Sequence, residues 1–187
     1  MKFQSIFRTS VSLAGLALLL TMGSSNMAAQ KADSEEISTL LSQAKSHAVL
    51  AEDDASTLED FTRTKVSWKI HGETLHRIKD HVNALGVVSK QLVDLREQGS
   101  PWQQKAIDQI DPLLREMATS LTATIIHLND NQSQIHMKPY RDYAAANHDV
   151  ASKLADVIKD FVDYDEAKSK SEALEQRLEL PSDDKGE

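Results

Sequence analysis

The feature that most constrains the fold is an apolar stripe with helical spacing that repeats in four long segments. In the first segment, apolar residues recur at alternating steps of four and three from Ile37 to Leu58, and several of them are alanine. This is heptad spacing, which is typical of helices that pack closely along one narrow face. Similar stripes follow over residues 75–95, 107–128 and 140–161, and the last helix is expected to continue to about Leu178. The pattern predicts an all-α protein.

Composition supports the same class. The chain of 187 residues contains six Gly and four Pro, and only 5% of its residues are aromatic. A β-sandwich needs many turns and pleated faces rich in aromatic residues, so this composition disfavours it. Neither a βαβ alternation nor a Gly-rich phosphate-binding loop competes with the helical pattern.

Helix start and stop signals divide the four segments. Asp33, three residues before Glu36, is the expected cap of the first helix. Gly99 is the residue expected just past the end of the second. Ser100 and Pro101, followed by Gln103, form a strong start signal for the third, because Ser caps the helix, Pro fits its first turn and Gln can bond back to the cap.

Short connections between long helices favour antiparallel neighbours. We therefore predict an antiparallel up-down-up-down four-helix bundle over residues 30–178. Pro112 is expected to kink the third helix, and Pro139 to open the fourth. The core is expected to include Leu41, Leu85, Leu92, Ile110, Leu114, Leu121, Leu154, Ile158 and Phe161.

The first 29 residues resemble a secretory signal peptide. Lys2 and Arg8 precede the apolar run Val11–Met22, and small residues follow as far as Ala29. An apolar run of about twelve residues is shorter than the roughly twenty that a bilayer requires, although an uncleaved anchor is the alternative. We expect cleavage near Ala28 or Ala29 and an exported protein, periplasmic or secreted. Loss of Lys2 and Arg8 changes the formal net charge from −8 to −10, and residues 179–187 are predicted to be an acidic flexible tail.

The absence of cysteine excludes several classes of site. Disulfides, thiolate zinc sites, iron–sulfur clusters and c-type haem attachment all require cysteine. The acidic charge disfavours nucleic acid and anionic membranes as partners, because both bind through Lys and Arg. Since no nucleophile-elbow motif is present either, no class of enzyme is indicated.

Seven histidines are the side chains that most suggest a metal site. Glu73 and His76 have the Glu-x-x-His spacing of di-iron bundles, but those proteins need two copies and this chain has one. At about 100° per residue, Glu73, His76 and Asp80 lie opposite the apolar stripe of their helix and should face water. His47, His81, His127 and His148 lie roughly 50–110° from the stripe centres, at the boundary of the core.

One end of the bundle is expected to be rich in histidine. If the second and third helices form a hairpin about Gly99, then Glu73 and His127 both lie roughly 40 Å from that turn. A weak metal or small-ligand site at this end is one hypothesis; polar loops that meet there without a function are the other. The candidate ligands are His71, His76, His127 and His136, and the basic residues near them in sequence are Arg63, Lys65, Lys69, Arg77 and Lys79.

Three short runs carry a resemblance to a known group of proteins. They are Asp80-His81-Val82-Asn83, Ser100-Pro101-Trp102-Gln103 and Pro139-Tyr140-Arg141-Asp142-Tyr143. Across residues 65–181 the chain resembles an uncharacterised family of exported bacterial helical proteins. The resemblance implies no activity, cofactor or catalytic residue.

Two functional hypotheses remain from the sequence. The first is a non-catalytic exported bundle that contacts another envelope or extracellular protein, without a cofactor and with self-association left open. The second is a protein that binds a small ligand, or a metal weakly, at the His-rich end. An enzyme is the less favoured third reading.

Overall fold

The computed structural model describes residues 31–178, which form four long helices. They are α1 (Glu35–Phe61), α2 (Trp68–Leu95), α3 (Pro101–Asp130) and α4 (Lys138–Leu178). Short 3₁₀ turns at Arg96–Gln98 and Gln132–Gln134 lie in the second and third connections. The all-α class and the four-helix bundle are confirmed; the predicted signal peptide (1–29) and acidic tail (179–187) lie outside the described residues.

Each helix packs against two others. The neighbouring pairs are α1 with α2, α2 with α3, α3 with α4, and α4 with α1. Between α1 and α4, Lys45 pairs with Asp163 at 2.8 Å, and Glu59 pairs with His148 at 2.8 Å. Residue numbers therefore increase along α1 in the direction in which they decrease along α4, which is the arrangement of antiparallel neighbours.

The four apolar stripes face one another and form the core. From Ile37 to Leu58, each residue of the α1 stripe is buried, and the alanines among them let α2 and α4 approach closely. Every predicted core residue is buried except Phe161, which is half-buried. Val162 takes the buried position instead, because the stripe of α4 steps by four residues from Ile158 rather than by three.

The start of α1 differs from the prediction by one residue. Ser34 is the cap, and its hydroxyl accepts a hydrogen bond from the backbone N–H of Ile37 at 3.4 Å. The carboxylate of Asp33 instead accepts hydrogen bonds from the indole N–H of Trp102, at 2.7 Å, and from Lys168. Partial burial acts in the opposite direction, yet these hydrogen bonds hold the pKa of Asp33 below its usual value. Asp33 thus ties the chain before α1 to α3 and α4.

The connection between α2 and α3 confirms the start signal but changes the role of the glycine. Ser100 caps α3 with Pro101 in its first turn, and the backbone N–H of Ser100 donates to the Gln103 side chain at 3.1 Å. Gly99 has an ordinary φ of −75°, so no left-handed conformation requires it. A Cβ at Gly99 would lie 2.9 Å from the Cδ1 atom of Ile37, so close packing against α1 explains the glycine.

The described helices carry no membrane span. Each of the four mixes apolar and charged residues throughout, and none holds an uninterrupted apolar stretch that is long enough to cross a bilayer. Helix α4 extends to Leu178, as expected. Helix α3 continues through Pro112, and the kink expected there stays a prediction.

Candidate functional site

The structure does not bring the four candidate histidines together. His71 is fully buried in α2, whereas His76 is exposed on the same helix. His127 is half-buried on α3, and His136 is exposed in the connection before α4. Within residues 31–178, no three His, Asp or Glu side chains are placed to hold one metal ion. Metal binding at this end stays a prediction that would require the connections to move.

The solvent-facing group of α2 lies as predicted. Glu73, His76 and Asp80 are all exposed. His76 Nε2 lies 3.7 Å from a carboxylate oxygen of Asp80, one helical turn away. These side chains form an ordinary exposed face of the helix.

His71 was predicted only to lie at the His-rich end, and the structure places it in the core. Its side chain is fully buried, and its Nδ1 atom lies 3.1 Å from the hydroxyl of Tyr140 on α4. Its Nε2 atom is also buried and has no hydrogen-bond partner among the described residues. The signal was present in the sequence: stepping back from Ile78 by three to Leu75, and then by four, reaches His71. The predicted stripe began at Leu75 and so did not include His71, whereas α2 begins at Trp68.

Aromatic rings surround the buried imidazole. Phe61 and Tyr140 approach His71 edge-on, with ring centroids 5.9 and 5.3 Å away. His127 stacks on the other side of this group, 6.1 Å from the Tyr140 ring. Burial lowers the pKa of His71 and raises that of Tyr140, so both side chains are neutral at pH 7.

The buried imidazole predicts a pH-dependent stability. Its pKa is lowered in the folded state, so its contribution to stability is present above about pH 6.5 and is lost as the pH falls below it, where the unfolded chain takes up the proton. A single group of this kind changes the free energy of unfolding by at most about 1.4 kcal/mol per pH unit. Urea unfolding of the wild type should show that the free energy of unfolding falls between pH 7 and pH 5. In His71→Gln this free energy should fall less steeply with pH.

An exposed histidine supplies the control for this measurement. His76→Gln removes an imidazole from the exposed surface of the same helix and is the matched variant for comparison. Asp33, Asp108 and Asp163 also have lowered pKa values, but carboxylates lose their contribution at more acidic pH. Equal slopes in wild type and His71→Gln would show that His71 does not titrate on unfolding.

A second buried polar group joins α3 to α4. The side chain of Asn147 is fully buried, and its amide nitrogen donates to the backbone carbonyls of Ser120 and Tyr143, each at 3.3 Å, and to the Thr124 hydroxyl. Backbone carbonyls only accept hydrogen bonds, which fixes the orientation of the amide. Asn147 and Thr124 therefore form a polar layer in the core. Helical spacing placed Asn147 on the buried face of its helix but did not predict its hydrogen bonds to α3.

A further constellation between α1 and α2 was not predicted. The rings of His47 and His81 lie 5.9 Å apart, and Asp54 lies 3.7 Å from His81 Nε2. Arg77 already donates to the same carboxylate at 2.8 Å. These residues come from two helices, and only the register of α1 against α2 brings them together. Arg77 and Asp54 thus form the ion pair of this group, and the two imidazole rings lie beside it.

A long groove lies between α2 and α3. Three adjoining clefts, of about 410, 260 and 150 Å³, share lining residues and follow one seam. We call this feature the α2–α3 groove; it runs along α2 from Gly72 to Val93 and along α3 from Asp111 to Asn129. Its floor is apolar and includes Leu75, Val82, Leu114, Ala118, Leu121 and Ile125.

Small residues and loose packing keep the groove open. Among the four neighbouring pairs, α2 and α3 make the least extensive contact. A Cβ at Gly86 would meet no atom within 4 Å, and one at Gly72 would meet only Leu128 at 3.9 Å. Apolar side chains on the same face are left exposed, including Val93 at 45% and Ile126 at 56%. Of the four helix–helix seams, the one between α2 and α3 is therefore the most loosely packed.

Comparison with known proteins identifies no relative. The chain matches no protein-family model, and neither a curated protein nor a solved structure is significantly similar to it. The resemblance to exported bacterial helical proteins therefore stays a prediction, and the surfaces described above are the basis for proposing a function.

Proposed function

We propose that this chain is a non-catalytic, exported helical-bundle protein that works by binding a helical segment of another envelope or extracellular protein. The α2–α3 groove is the observation that carries the proposal. It is long, lined by apolar side chains and open to solvent between two packed helices. Grooves of this kind bind the apolar face of an amphipathic helix.

The length of the groove suits a helical partner. Between Gly72 and Val93 the chain rises about 30 Å at 1.5 Å per residue, which is the length of a helix of about twenty residues. A helix lying in the seam would present apolar side chains at three- and four-residue intervals. Val82, Ala118 and Ile125 lie along the floor to receive them.

The charges along the groove indicate an acidic partner. Lys79, Lys90 and Arg115 line it, and Asp111 is the one acidic residue among the residues that line its three clefts. Asp111 already accepts hydrogen bonds from Arg115 at 2.8 Å and from Ser89 at 3.3 Å. Lys90 pairs with Asp94 at 2.9 Å. Lys79 forms no salt bridge within residues 31–178 and is therefore the cation of the rim that remains available to a partner. On an acidic protein, such a rim favours a helix whose apolar stripe is flanked by Asp and Glu.

The placement of the buried titratable groups supports binding rather than catalysis. His71 and Tyr140 have the shifted pKa values expected of active-site groups, but both are enclosed by aromatic side chains in the core. Neither lines the three clefts of the α2–α3 groove. A molecule bound in the groove would therefore meet apolar side chains and fixed charges.

Site-specific photo-crosslinking in the native host tests the proposal. A photoreactive residue at Asn83, in the groove, should capture a defined protein in the envelope fraction, whereas the same residue at Asp149, exposed on α4, should not. The captured segment should be an amphipathic helix with acidic flanks. Equal capture from both positions, or capture of a segment without that pattern, would contradict the proposal. Fractionation of the same cells tests the predicted export, because retention in the cytoplasm would overturn it.

A further inference from the structure

A second cleft lies at the end of the bundle where two connections meet. It encloses about 570 Å³ between the α1–α2 connection, the α3–α4 connection and the start of α4. Four of its lining residues are basic or imidazole side chains, contributed by these three segments. We call it the basic cleft; these residues are Arg63, Lys65, His136 and Arg141.

The positive charge in the basic cleft is largely uncompensated. Its lining includes no Asp or Glu. No salt bridge within residues 31–178 engages Lys65 or Arg141, and both side chains are exposed. Arg63 is paired outside the cleft lining, with Glu59 one turn earlier and with Asp60 at 3.5 Å. Lys65 and Arg141 are therefore the cations available to a ligand.

The backbone at the end of α1 does not oppose an anion. The terminal carbonyls of a helix carry partial negative charge and would repel one if they were free. Here the Glu59 carbonyl accepts from the backbone and hydroxyl of Thr62, at 3.0 and 2.6 Å. The Phe61 carbonyl accepts from the backbone and hydroxyl of Thr64, at 3.1 and 3.0 Å. The loop thus satisfies these acceptors internally and leaves its cationic side chains facing the cleft.

We propose that the basic cleft binds a small, soluble, multiply charged anion of the phosphate-ester class. Arginine presents a planar fork that suits phosphate oxygens, and lysine adds a mobile point charge. Three segments of the chain supply these cations, so that one ligand would bridge the two connections at this end. The cleft volume of about 570 Å³ accommodates a ligand with two phosphate groups, or a small organic molecule that carries one phosphate.

This proposal does not depend on the α2–α3 groove. None of the basic-cleft residues lines the groove, so one site can fail while the other stands. It also differs from the predicted His-rich metal site, because His136 is the only one of the four candidate histidines in the cleft. Of the other basic residues expected nearby, Arg77 is bound to Asp54 and Lys79 lies in the groove.

Calorimetric titration with pyrophosphate tests the site directly. The protein lacking residues 1–29 should bind pyrophosphate, and Lys65→Gln/Arg141→Gln should weaken binding by at least about tenfold, since each lost charge-assisted hydrogen bond is worth more than a neutral one. Lys105→Gln/Lys153→Gln removes the same charge from exposed positions on α3 and α4 and is the matched control. Thermal unfolding of both double variants checks that they remain folded.

The outcomes separate the alternatives. Binding that is lost in Lys65→Gln/Arg141→Gln and retained in the control supports the basic cleft. Absence of binding at millimolar pyrophosphate, or an equal loss in both double variants, overturns it. Vesicles of phosphatidylcholine with phosphatidic acid form a second arm, because the same phosphate chemistry occurs on lipids. Binding to these vesicles without binding to pyrophosphate would overturn the assignment to a soluble ligand.

Discussion

Asn147→Asp is expected to destabilise the bundle more than any other single conservative change. The amide nitrogen of Asn147 donates to three oxygen acceptors in the closed core, and two of these are backbone carbonyls. A carboxylate has no proton to donate and would face those carbonyls as a buried negative charge. We expect the free energy of unfolding at pH 7 to fall by about 3 kcal/mol or more, measured by urea denaturation.

The pH dependence of this variant distinguishes the cause. Since protonation restores a donor and removes the charge, the difference between Asn147→Asp and wild type should shrink as the pH falls toward 4. Asn83→Asp, at an exposed position in the middle of α2, makes the same chemical change in water and should alter stability little. A loss below about 1 kcal/mol for Asn147→Asp would mean that the core admits water at this layer.

Leu154→Ala should give the second large effect. Leu154 is fully buried on α4, so truncation removes packed apolar surface and leaves a cavity, at an expected cost of about 2–5 kcal/mol. Leu114→Ala should lie toward the lower end of that range, because Leu114 is 6% exposed and borders the α2–α3 groove, where the surroundings are already open.

The exposed end of α4 supplies the control for these truncations. Leu174 is 38% exposed, so Leu174→Ala should change the free energy of unfolding by less than about 0.5 kcal/mol. A loss under about 0.5 kcal/mol for Leu154→Ala would show that the α4 stripe is assigned to the wrong face. Chemical denaturation of the three variants in one buffer makes the comparison.

Helical spacing was enough to predict most of the fold. The α1 stripe from Ile37 to Leu58 is buried as expected, since a strict three-and-four pattern leaves only one face that excludes water. The cap at Ser100 was recognisable because its partners, Pro101 and Gln103, are local in sequence. Both predictions rest on interactions within one or two helical turns.

The errors arose where the deciding interaction joins distant residues. Asp33 resembled a helix cap, but hydrogen bonds from Trp102 and Lys168 hold it elsewhere. His71 was not assigned to a helix face, and its partner Tyr140 lies on another helix, 69 residues further along the chain. Gly99 was assigned to a turn, whereas its contact with Ile37 explains it.

The two candidate binding surfaces were beyond sequence reasoning for the same reason. The α2–α3 groove exists because two helices pack loosely around Gly86 and Gly72, and no spacing within one helix reports the packing between two. The basic cleft combines Lys65 and Arg141, which lie 76 residues apart in the chain. The sequence predicted a basic end of the bundle but did not show which cations share one cleft.

Filling the groove is the most direct test of the proposed function. Gly86→Phe places a ring in the open space of the groove, while Val87→Phe adds the same ring one position along, where the side chain is 62% exposed and lies outside the groove lining. The measurement is the dissociation constant of a synthetic peptide that copies the segment crosslinked through Asn83. We predict that Gly86→Phe weakens binding by at least about tenfold and that Val87→Phe leaves it unchanged, because only the first ring occupies the space that a partner helix needs. Equal affinities for wild type, Gly86→Phe and Val87→Phe would contradict the claim that this protein acts through its α2–α3 groove.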